Sequence, residues 1–99
     1  MIIITPGHKY LLDNFEDSGT QIISFVHKET DGKKLQTVVQ GTTNEEVLLM
    51  LINRLNYLQG QLPCRENALA ITKLEEALMW LEKRTANRLD RGVEGSSAA

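Results

Sequence analysis

Near its C-terminus the chain reads LEEALMWLEKRTANRLDRG, Leu74 to Gly92, and arginines recur there at helical spacing. At 100° per residue, Trp80, Arg84, Arg88 and Arg91 fall within an arc of about 80°, and Lys73 and Ala77 extend the same line toward the helix start. The residues three and four places from Arg84 are Trp80, Leu81, Asn87 and Arg88; those from Arg88 include Arg84, Thr85 and Arg91. None is acidic, so like charges meet at i and i+4, which costs a helix about a few tenths of a kcal/mol. One cation near a helix C-terminus recovers roughly 0.3 to 1 kcal/mol from the macrodipole, which accounts for a single arginine. For three, with an indole on the same line, anion recognition fits better. Guanidinium forks match phosphate oxygens bidentately, and Trp or Tyr faces accept stacked bases.

Other chemistries lack their residues. No G-x-x-x-x-G-K-[ST] or G-x-G-x-x-G loop cradles a phosphate. His8 and His27 stand in the strand-like portion with no histidine or carboxylate at ligand spacing, so no metal is expected. Glu75 and Glu76 are adjacent, and adjacent helical residues point about 100° apart, too far to act on one bond. Ser18 and Ser24 lack a nucleophile-elbow context, and Cys64 has no activating neighbour in sequence, which suits a buried or capping thiol. No catalytic constellation and no cofactor site remains, and the chain reads as a binder rather than an enzyme.

The elements that must position these residues fall into two parts. Ile2 to Ile4, Tyr10 to Phe15, Gln21 to Lys28 and Leu35 to Val39 are β-branched or aromatic runs between turn formers, as expected of a small antiparallel meander. Asp31-Gly32 predicts a tight hairpin turn with positive φ angles. From Gly41 the pattern becomes helical. Thr42 and Thr43, with Glu45 and Glu46 three residues on from each, carry a capping-box signature. Leu48, Leu51, Ile52, Leu55, Leu58 and Leu62 form one apolar stripe, with Val47, Met50 and Tyr57 on another flank. Gly60 and Pro63 are expected to break this helix. A second begins near Arg65, with Ile71, Leu74, Leu78, Leu81, Thr85 and Leu89 as its stripe and Gly92 as its stop. The fold class is therefore α+β: a β-sheet part over residues 1–40 and a helical hairpin over 42–92, one domain of 1–92, with 93–99 as a flexible tail.

Composition bounds the partners. A 99-residue chain has room for one small, marginal core, so self-association would help it. With 11 Lys and Arg against 13 Asp and Glu, a broad basic surface for duplex nucleic acid is excluded, and any anion site must be local. One cysteine forms no intrachain disulfide, which is compatible with a reducing cytoplasm. Thr5, Pro6 and Gly7 stop the apolar start too early for a signal-peptide core, and no run approaches the ~20 apolar residues of a membrane-spanning helix. No membrane partner is expected.

GTTNEEVLLMLINRLNYLQGQLP, then RENALAITKLEEALMWLEKRTANR, then RGVEG closely resembles the type-one phage Thoeris anti-defence proteins, sponges for cyclic ADP-ribose signals. The hairpin is also similar to that of the shorter anti-CBASS cyclic-nucleotide sponges, and the preceding β-sheet fits the Thoeris type better. The resemblance covers about residues 41–95. It implies sequestration, without cleavage, of a glycocyclic ADP-ribose messenger made by a TIR-domain enzyme, in the cytoplasm of an infected bacterium. Some members assemble as trimers of dimers and hold cyclic dinucleotides and trinucleotides in separate sites. The messenger positions would fall on Tyr57, Asn67 and Arg84, and the trinucleotide site would involve Arg88; Arg65 and Arg91 complete the candidate set. Relatives usually carry serine where Cys64 stands, a stronger helix cap, and phenylalanine is known at the position of Tyr57.

Tyr57 and Asn67 are each five residues from Leu62, so they share the bend end of the hairpin. Arg84 lies 17 residues beyond Asn67, roughly 26 Å along one helix. One small ligand cannot span that distance in one chain, so a shared site requires Arg84 from a neighbouring subunit, in a homodimer with two equivalent sites or in a homohexamer built from such dimers. A different class of function, a helical-hairpin interaction module whose arginines bind an acidic partner protein, uses the same residues. A single-stranded nucleic-acid binder is disfavoured by the net charge.

Overall fold

The computed structural model describes residues 1–90, in which five strands precede two helices, an α+β architecture. Arg91, Gly92 and the expected tail 93–99 lie outside the described residues. The chain divides at Thr43 into a unit of strands and a unit of helices.

In the first unit β1 (Ile2–Thr5), β2 (Lys9–Asp13) and β3 (Thr20–Ser24) form an antiparallel sheet in that order, with Tyr10 opposite both Ile3 and Ile23. The β1–β2 connection, Thr5-Pro6-Gly7-His8, follows from its residues. Proline presets φ at the second position, Gly7 takes φ 77° at the third, and the His8 amide donates to the Thr5 carbonyl at 2.9 Å. The Met1 ammonium meets the Asp13 carboxylate at 3.1 Å and fastens the start of β1 to the end of β2.

β4 (His27–Thr30) and β5 (Leu35–Val39) form a separate two-stranded antiparallel sheet. The single strand expected over Gln21 to Lys28 is thus two strands. Around Phe25 the backbone changes partners: its amide donates to the His8 carbonyl at 2.7 Å, whereas the next amide, Val26, donates to Thr42 at 2.9 Å. The Thr42 amide returns a bond to Ser24 at 2.8 Å. Alternating side chains cannot encode that switch, because periodicity specifies faces and not hydrogen-bond partners. Gly41 permits the close passage. A Cβ there would stand 2.5 Å from the Ser24 oxygen and from the Phe25 carbonyl carbon.

Two further expectations change in this unit. The β2 strand stops at Asp13, leaving Phe15 in the loop with 98% of its surface exposed. The Asp31-Gly32 turn is also looser than a two-residue hairpin: only Gly32 has positive φ, at 99°, and residues 31–34 separate the strands. The Asp31 carboxylate organises that loop by accepting the amides of Lys33 and Lys34 at 3.0 and 3.2 Å. Those two bonds hold its carboxyl below the ordinary aspartate range.

The second unit is a helical hairpin of α1 (Asn44–Gln61) and α2 (Arg65–Asp90). Thr43 stands in the N-cap position and Glu46 at the third helical residue, the spacing of a capping box. Gly60 does not break α1; the helix runs through it to Gln61, and the bend occupies 62–64. Glycine without its own turn chemistry only weakens a helix, by about 1 kcal/mol, and Pro63 supplies the stop. Leu48, Ile52, Leu55 and Leu58 of α1 and Leu74, Leu78 and Leu81 of α2 are half-buried, and only Ile71 is buried among the described residues of this unit. Leu51, Leu62 and Leu89, expected in the stripes, are exposed, as are Met50 and Tyr57. Two helices share one seam, so side chains on its shoulders stay in water.

Gly41→Ala is expected to destabilise the strand unit by about 1 to 3 kcal/mol, since the added methyl meets backbone rather than a yielding side chain; thermal unfolding checks it. Asp31 has a lowered carboxyl pKa in the folded state, so its contribution is present above the ordinary aspartate range and lost as pH falls below it. The amides of Lys33 and Lys34 should therefore lose hydrogen-exchange protection below about pH 4, and Asp31→Ala should abolish that pH dependence.

Candidate functional site

The candidate site residues lie on the two helices. Tyr57 projects from the last turns of α1 and is 63% exposed, a ring available for stacking. Arg65 opens α2 in solvent, and Asn67, two residues on, is half-buried. These three flank the bend. Arg84 is exposed near the other end of α2, and because that helix runs unbroken from Arg65 to Asp90, the separation of roughly 26 Å from Asn67 holds. Within one chain the structure brings Tyr57, Arg65 and Asn67 to one end and leaves Arg84 and Arg88 at the other.

The basic row itself is less uniform than its spacing. Arg88 is half-buried while Arg84 is exposed. On the wheel Arg88 lies about 40° past Arg84, toward the leucine stripe and only about 20° from Leu81. Trp80, 53% exposed, already has a cation: the Lys83 ammonium stands 5.1 Å from its ring centroid. That contact contributes about 0.5 to 1 kcal/mol at an exposed position. The i, i+3 spacing of Trp80 and Lys83 was a legible signal for it. Lys73, on the same line, pairs with Glu76 at 3.7 Å.

The bend is built around Cys64. Its Sγ accepts the Asn67 amide at 3.4 Å and its carbonyl accepts the Ala68 amide at 3.3 Å, an N-cap in which sulfur does the work usually given to a hydroxyl. The Gln59 side chain closes the other side: its Nε2 donates to the Cys64 carbonyl and its Oε1 accepts the Cys64 amide, both at 3.0 Å. Nothing in the sequence pattern announced Gln59, because a contact across five residues and a bend belongs to no helical or strand period.

His8 and His27, expected to stand apart, stack with ring centroids 4.0 Å apart and planes 7° from parallel, and His27 approaches Glu29 at 3.6 Å. The turn before β2 and the start of β4 thus bring together residues 19 apart in sequence. Among the described residues no group of three His, Cys, Asp or Glu could hold a metal ion, and no helix is long and apolar enough to cross a membrane.

Residues 21–86 match the model of the Acb2/Tad1 hairpin domain. The chain belongs to this family. Over 57 residues it is 63% identical to Thoeris anti-defense 1 of Bacillus phage SBSphiJ7, a match covering 57% of this chain and 40% of that protein. The Acb2/Tad1 match takes in β3, β4, β5, α1 and most of α2, and thus Tyr57, Arg65, Asn67 and Arg84 together. Arg88 falls two residues beyond it.

Replacing Cys64 by Ser should strengthen the cap by about 0.5 to 1 kcal/mol and raise the melting temperature by a few degrees, read by differential scanning calorimetry.

Proposed function

We propose that this protein is a phage anti-defence sponge that binds a cyclic ADP-ribose immune messenger, a glycocyclic isomer, and holds it without cleavage, so that Thoeris signalling fails. Membership of the Acb2/Tad1 hairpin family and the identity to Thoeris anti-defense 1 support the anti-defence role. The observation that carries the binding mode is the separation of roughly 26 Å between Asn67 and the exposed Arg84 on one continuous helix. A compact dianion bound by both must lie between subunits, with Tyr57 stacked on the adenine and Asn67 beside it, and with Arg84 of a second copy on the pyrophosphate.

The exposed apolar shoulders of the helices, Leu49, Met50 and Leu51 of α1 and Leu69 and Met79 of α2, supply the surface for such a homodimer or for a homohexamer. In this reading Arg65 and Arg88, with Arg91, serve cyclic dinucleotides and trinucleotides at separate positions, and the protein works in the cytoplasm of the infected host.

Arg84→Ala should weaken binding of glycocyclic ADP-ribose by about a hundredfold or more in isothermal titration while leaving the mass in solution unchanged. An unaltered affinity, or a chain that no longer folds, overturns the assignment. Messenger recovered chemically intact after denaturing the complex is the expected outcome for a sponge, and recovered hydrolysis product defeats it.

A further inference from the structure

We infer that Gln59 is a positioning residue for the bend end of the binding site, setting Tyr57 and Asn67 in their mutual geometry before the ligand arrives. The inference rests on the reading of those two residues as messenger contacts. The bend has only three residues, yet every polar group of Cys64 is engaged: its amide and carbonyl by the one Gln59 side chain, its carbonyl again by Ala68, and its sulfur by Asn67. Gln59 lies two residues after Tyr57, and Cys64 lies three before Asn67.

The primary amide therefore ties the last turn of α1 directly to the cap of α2, as a backbone bridge would, and fixes the rotation of one helix against the other at the point nearest both site residues. Two places along a helix turn the side chain by about 200°, so Gln59 points away from the face that Tyr57 presents and acts through the backbone, not on the ligand. Preorganisation of this kind is read in affinity, because the ordering is completed before binding.

Gln59→Met keeps the length and removes both bonds; glycocyclic ADP-ribose should then bind about tenfold more weakly, the net worth of one or two ordinary hydrogen bonds. A folded Gln59→Met chain with wild-type affinity overturns the inference. Gln59→Glu separates positioning from mere stability. A protonated glutamic acid can accept the Cys64 amide and donate to the Cys64 carbonyl, whereas the carboxylate keeps the first bond and loses the second. Its affinity relative to wild type at the same pH should approach parity near about pH 3.5 and fall about tenfold by about pH 7.5. A ratio that does not move with pH overturns the inference even if the methionine variant fails to fold. Tyr57→Ala and Arg84→Ala serve as controls: if both bind like wild type, the site reading itself fails, and if they lose binding while the Gln59 variants do not, only the positioning role fails.

Discussion

Two helices packed along a single seam cannot close a core, and this constraint governs the helical unit. Ile71 alone among its described residues is buried, and the leucines of the seam are only half covered. Burial at about 25 cal/mol per Å² over so narrow a contact is small against the entropy of ordering some forty-five residues. The hairpin therefore leaves apolar shoulders in water, and the homodimer or homohexamer proposed above would cover them.

The helical part was legible because its signals are local and redundant. Threonine caps, a 3.6-residue apolar period and Pro63 each mark the same boundaries. The sequence spacing also carried the decisive length, 17 residues from Asn67 to Arg84, since an unbroken helix converts residue count into distance. What failed was the outer margin of each stripe. Leu89 points the same way as the buried Ile71, but the 26-residue α2 outruns the 18-residue α1, and Leu62 falls in the bend past the end of α1, so periodicity marks the face without marking where the neighbouring helix stops. Arg88 differs from Arg84 in direction, lying about 40° nearer the leucine stripe.

The strand part was legible as β and much less so as topology. Its runs were found nearly in place, but the division at Phe25, the isolated bridge to Thr42 and the histidine stack all depend on pairings between distant residues. Gly41 held the information in plain view, and only the backbone it passes reveals why it is glycine. Gln59 is a similar case on the helical side, a polar residue on a helix whose partner lies beyond the helix end.

The family match begins at residue 21, inside β3, so β1 and β2 stand outside it. Their hairpin covers one edge of β3, a row of amides and carbonyls that would otherwise invite any passing extended segment. It guards that margin only by creating a new one. β1 is now outermost, and Ile2, Ile3 and Ile4 follow one another there in water with no lysine or proline among them to discourage a stranger. The shield has moved the vulnerable rim to β1, which is held by its ladder to β2 and by the Met1–Asp13 ion pair across their ends.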